Sequence, residues 1–131
     1  MPVSLVVDDE VSVRQYVSTI LQRERFQTLE AEDGVHALQI VQDLSGGLDL
    51  IVSDIQMPKG DGLSFAHAVK RLFPAIPLIL VSGYSTPDAD FEFVQKPFTP
   101  ATLVRAVRKL FAPKVRTMYQ AHGDSSRKTL R

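Results

Sequence analysis

Acid or ammonium groups follow three hydrophobic runs of this chain. Val3 to Val7 leads into Asp8 and Asp9, Leu48 to Ser53 into Asp54, and Phe91 to Gln95 into Lys96. Apolar, β-branched runs of this length suit strands buried on both faces, as in parallel sheets flanked by helices. If the runs are parallel neighbours, the carboxylates and the lysine converge at the carboxyl edge, where open α/β sheets bind ligands. Two carboxylates about 4 Å apart repel by on the order of 4 kcal/mol at an effective dielectric near 20. A divalent cation would relieve that repulsion, and hard oxygen donors without thiol or imidazole point to Mg²⁺. Asp54, at the end of its run and beside such a cation, is then placed as a nucleophilic carboxylate. An isolated strand-end Asp is commonly a helix N-cap, and for Asp8 or Asp9 alone that reading would be preferred. It is the set of Asp8, Asp9, Asp54 and Lys96 that argues for chemistry.

The elements that must position these groups are legible from periodicity. Val13, Tyr16, Val17, Ile20 and Leu21 recur at steps of three and four, which predicts an amphipathic helix after the first strand. Phe26 to Ala31 mixes apolar and polar residues as an edge strand does. Leu38, Val41 and Leu44 mark a second helix, opened near Asp33 and closed by Gly46-Gly47. A third carries Phe65, Ala66, Val69, Leu72 and Phe73, opening after Asp61-Gly62 and stopping at Pro74. Pro77 to Ser82 is a strand, so Ser82 lies at the same edge as the acids. Thr99 is a good N-cap with Pro100 in the first helical position, and Leu103, Val104, Val107, Leu110 and Phe111 make the last apolar stripe. Between Ser82 and Lys96, the stretch Gly83 to Asp90 offers only about two turns, so a helix there is short or replaced by a loop. From Ala112 the periodicity stops, and residues 113–131 are expected to be a flexible basic tail or linker stub after a domain of residues 1–112. A nucleic-acid-binding arm is the sharper alternative, but aromatic interleaving is missing.

Val7-Asp8-Asp9-Glu10, Ser53-Asp54-Ile55-Gln56-Met57-Pro58, Asp61-Gly62, Ser82-Gly83 and Lys96-Pro97-Phe98 follow one another in this order. On these motifs the chain resembles the receiver domain of two-component response regulators, from about Val3 to about Phe111. The short Ser-Gly-Tyr segment leans toward receivers attached to hybrid sensor kinases. The resemblance implies a flavodoxin-like three-layer α/β sandwich: a five-stranded parallel sheet in the order 2-1-3-4-5 with helices on both faces. It implies that Asp54 is the phosphoacceptor, that Asp9 and Asp54 ligate Mg²⁺ directly, and that Asp8 does so through water and Gln56 through its backbone carbonyl. Lys96 would pair with Asp54 before transfer and with a phosphoryl oxygen afterwards. Ser82 would sense the phosphate and Phe93 would be the switch aromatic, while the side chains of Gln56 and Tyr84 would flank the path of a hydrolytic water. A plain loop role for Ser82 and a core role for Phe93 remain the alternatives. His36 and His67 are expected on solvated helix faces and His122 in the tail.

By the same resemblance the chain is a bacterial signalling domain. It would accept phosphate from a histidine kinase or histidine phosphotransfer protein, with only residual self-phosphorylation and autodephosphorylation of its own. One rival is a haloacid-dehalogenase-type phosphatase, which wants a second Asp two residues after the nucleophile, where this chain has Gln56. The other is a non-phosphorylated pseudo-receiver scaffold. With 131 residues and 15 basic against 15 acidic side chains, the formal charge is +0, which excludes a general electrostatic pull toward nucleic acid or anionic membrane. The absence of cysteine excludes thiolate metal sites and fits a reducing cytoplasm. No apolar stretch approaches the roughly 20 residues that span a bilayer. A monomer or weak homodimer is expected.

Overall fold

Alternation along uniformly apolar strands decides the architecture. In a computed structural model, which describes residues 1–59, 61–84 and 90–122 (112–122 in backbone only), the strands are β1 (Val3–Val7), β2 (Gln27–Ala31), β3 (Leu50–Asp54), β4 (Leu78–Ser82) and β5 (Glu92–Gln95). The helices are α1 (Val11–Arg23), α2 (Gly34–Asp43), α3 (Gly62–Leu72) and α4 (Pro100–His122). All neighbouring strands pair in parallel, in the expected order β2-β1-β3-β4-β5. Successive strand residues point to opposite faces. Leu5, Val7, Ile51 and Leu80 therefore join Ala37, Val41, Phe65 and Val69 of α2 and α3 in one core. Val6, Val52, Ile79 and Val81 meet Val17, Ile20, Leu103 and Val107 of α1 and α4 in the other. Both faces are dry, which is why these strands carry no polar alternation. β2 is the exposed edge strand that its mixed sequence suggested.

Local signals set the helix ends. Asp33 and Asp61 accept the His36 and Ser64 backbone N–H groups at 2.8 and 2.9 Å, and Thr99 accepts that of Thr102 at 3.2 Å, each a side-chain N-cap. After α2 the chain turns through Gly46, whose φ of 75° suits glycine. Helix α4 runs on to His122, past residue 112 where the expected domain boundary lies. Apolar periodicity is not needed for helix formation, and Ala112, Lys114, Arg116 and Met118 are good helix formers. The remainder of the expected tail, residues 123–131, and the middle of the shortened segment, residues 85–89, lie outside the described residues. Among the described residues, β5 follows β4 with no helix between them, and none of the helices is long and apolar enough to cross a membrane.

Candidate functional site

The sheet register brings the acids together. Val7 of β1 lies opposite Ser53 of β3, so Asp8 emerges beside Asp54, while Ser82 ends β4 opposite Gln95, the residue before Lys96. One carboxylate oxygen from each of Asp8, Asp9 and Asp54 falls within a 4.8 Å cluster, with Asp8 and Asp54 buried and Asp9 exposed. Lys96 Nζ stands 3.2 Å from Asp8 Oδ2 and 3.5 Å from Asp54 Oδ1. The lysine thus bridges both buried acids, nearer to Asp8, rather than pairing with Asp54 alone. Such an arrangement can hold a hard divalent cation: it supplies three oxygen donors of mixed accessibility, and the exposed side leaves room for water.

The electrostatics follow from the crowding. Burial, reinforced by the neighbouring Asp8 charge, raises the Asp54 carboxyl from its ordinary 3.8 to about 6, although Lys96 and the Ile55 N–H pull the other way. Burial also opposes the charge on Lys96, but the Asp8 and Asp54 carboxylates outweigh it and raise its pKa. The acid cluster is therefore strained toward proton uptake, and a cation would relieve it.

The backbone around these groups is tightly held. Asp54 Oδ1 accepts from the Ile55 N–H at 2.9 Å, and Asp8 Oδ1 accepts from the Glu10 N–H at 2.9 Å. Two supports were not visible as site residues in the sequence. Arg14, on the face of α1 toward β2, donates to the Asp8 carbonyl at 2.8 Å and pairs with Glu30 of β2 at 3.0 Å, its side chain only 16% exposed. An arginine six residues past Asp8 with a lone acid in the edge strand was the available signal. Gly62, expected only as a helix opener, passes so near the end of β3 that a Cβ there would overlap the Asp54 carbonyl oxygen. Its N–H donates to the Ile55 carbonyl at 2.9 Å. Since backbone cannot yield as a side chain tip can, Gly62→Ala is expected to destabilise the domain by at least ~3 kcal/mol in urea unfolding. A loss below ~1 kcal/mol would mean that α3 shifts freely against β3.

The remaining predicted residues are spread around this centre. Ser82 is buried, its hydroxyl donating to Gln56 Oε1 at 2.7 Å and accepting from the Tyr84 N–H at 3.0 Å. The Gln56 side chain is exposed, and Tyr84 is 71% exposed beside the site. Phe93 is half-buried against the core beneath α2 and α3. Lys96 precedes Pro97 through a cis peptide bond. His36 is half-buried on α2, with Nδ1 2.8 Å from Glu32, and His67 is exposed on α3 with its ring edge on Phe91 at 5.2 Å, so neither joins the acid cluster.

Comparison with known proteins agrees with the architecture. Residues 4–108 match the response regulator receiver domain family. Sensor kinase CckA of Brucella abortus is 36% identical over 114 residues, covering 81% of this chain and 12% of that protein. The chain spans half or less of the length of the curated relatives it matches. Among solved structures, response regulator protein TrrA of Thermotoga maritima in complex with Mg²⁺-BeF is 34% identical with a TM-score of 0.75, over 85% of this chain and 100% of that one. A receiver domain from hybrid histidine kinase CckA is 32% identical with a TM-score of 0.73, over 82% and 96%.

Proposed function

Because this chain belongs to the response regulator receiver domain family, a module of two-component signalling, we propose that it is a phosphorylation-switched receiver that accepts a phosphoryl group on Asp54. The observation that carries this reading is the convergence of Asp8, Asp9 and Asp54 on one point, faced by Lys96. Asp8, Asp9, Asp54 and the Gln56 backbone carbonyl would hold Mg²⁺, which when bound neutralises charge on the transferring group and keeps it in line. Asp54 Oδ1 accepts from the Ile55 N–H and faces Lys96, which on this reading leaves Oδ2 as the attacking oxygen. That oxygen forms a bond to phosphorus as the bond between phosphorus and a donor histidine nitrogen breaks. Lys96 then follows the charge from carboxylate to phosphoryl oxygen, and Ser82 and Phe93 carry the change outward as a packing rearrangement. The partner is a histidine kinase or a histidine phosphotransfer protein, and the setting a bacterial cytoplasm. Relatives with the features of sensor kinase CckA fit a receiver built into a hybrid kinase. Tyr84 and the Gln56 side chain flank the water path and set phosphate lifetime.

The test is incubation with labelled acetyl phosphate or a phosphorylated kinase. Label is expected on this chain only with Mg²⁺ present, and EDTA should abolish it. Labelling that persists in EDTA would remove the metal from the reading. Steady turnover of a phosphate ester would favour the haloacid-dehalogenase-type alternative, although Gln56 stands where that chemistry wants an acid.

A further inference from the structure

A serine hydroxyl carries a single proton. In Ser82 that proton is directed to Gln56 Oε1 at 2.7 Å, while the oxygen accepts from the Tyr84 N–H at 3.0 Å. The serine is 1% exposed, so the hydroxyl cannot turn to bulk water instead. If Asp54 carries a phosphoryl group, the same proton is the one that reaches a phosphoryl oxygen. Both bonds cannot be donated at once.

We propose that Gln56 is a positioning residue that holds the Ser82 hydroxyl in the unphosphorylated arrangement, so that a phosphoryl group on Asp54 engages Ser82 only by displacing the Gln56 carboxamide. This inference rests on the phosphoacceptor reading. Its asymmetry comes from burial. The Gln56 side chain is exposed and passes to water at little cost once displaced, whereas the buried Ser82 hydroxyl requires a partner in either state. Gln56 also lies two residues beyond Asp54, in the turn between β3 and α3, and its side chain reaches across to the end of β4. The residue that follows the acceptor strand thereby restrains the residue that reads the acceptor.

The experiment is titration with beryllofluoride, a mimic of the phosphoryl group on a carboxylate, at saturating Mg²⁺. The wild type, Gln56→Leu, Ser82→Ala and the double variant are compared, with the Tyr84 backbone amide resonance as readout. Leucine keeps about the same volume and the backbone carbonyl and removes the competing carboxamide. Gln56→Leu should bind about fivefold more tightly than the wild type, the worth of one net hydrogen bond. The gain should vanish in the Ser82→Ala background, because the coupling runs through that hydroxyl. Unchanged or weaker binding by Gln56→Leu, or an equal gain without Ser82, overturns the proposal. A wild type that binds no beryllofluoride while remaining folded overturns the phosphoacceptor reading itself, and this inference falls with it.

Discussion

Asp54→Asn is expected to reduce phosphoryl incorporation at least ~100-fold and, at the same time, to stabilise the metal-free domain. The first effect follows from chemistry, since a neutral carboxamide is a poor nucleophile and a weak ligand for a hard cation. The second follows from burial. In the fold Asp54 ionises near 6 instead of its ordinary 3.8, chiefly because it is desolvated and secondly because Asp8 is charged beside it. The sign is fixed by linkage: the protonated form is favoured by folding, so stability is fully present below about pH 4 and is lost as pH rises through about 6. Above that, the ionised Asp54 costs the metal-free protein ~1–2 kcal/mol, the ~3 kcal/mol of the full shift being reduced by solvent screening at the partly open site. The asparagine variant has no such charge, and Lys96 keeps its nearer partner Asp8 at 3.2 Å. Urea unfolding in EDTA at pH 7.5 should therefore place the variant above the wild type, and the gap should close toward pH 4. A variant that is less stable and still labels would put the nucleophile elsewhere.

This opposition between function and stability explains why part of the site could be read from the sequence and part could not. Asp8, Asp54 and Lys96 announce themselves because each interrupts an apolar run, and one parallel sheet suffices to bring run ends together. The order of the strands came from the resemblance and not from the runs, and the sheet has that order. What stayed hidden depends on distances between elements that no periodicity encodes. Gly62 looked like a helix opener, yet its lack of a side chain is needed for the approach of α3 to the Asp54 carbonyl. Arg14 reads as an ordinary solvent-side residue of α1 but reaches back to a backbone carbonyl at the acid turn. The bond between Gln56 and Ser82 joins residues 26 apart and arises only because β3 and β4 are neighbours. The extent of α4, to His122, was not legible for a different reason: an apolar stripe reports burial, and backbone helix does not require one.

The largest dependence on conditions should appear in cation binding. On the proposed reading Mg²⁺ requires Asp54 ionised, and a carboxyl raised to about 6 makes protons direct competitors for the site. Below that value each pH unit removes about nine-tenths of the competent form, so affinity should be about tenfold weaker at pH 5 than at pH 7, and nearly flat from pH 7 to 8. By the reciprocal linkage, saturating Mg²⁺ should pull the Asp54 titration to lower pH and offset the stability cost of its charge. Calorimetric titration with Mg²⁺ alone at pH 5, 6, 7 and 8 measures this directly. Asp54→Asn should bind more weakly at pH 7 and lose the slope between 5 and 7, because Asp9 is solvent-exposed and offers no comparable site by itself. Affinity that stays constant from pH 5 to 7 in the wild type would mean that the cation does not touch Asp54. A slope that survives in the asparagine variant would show that the titrating group is not Asp54.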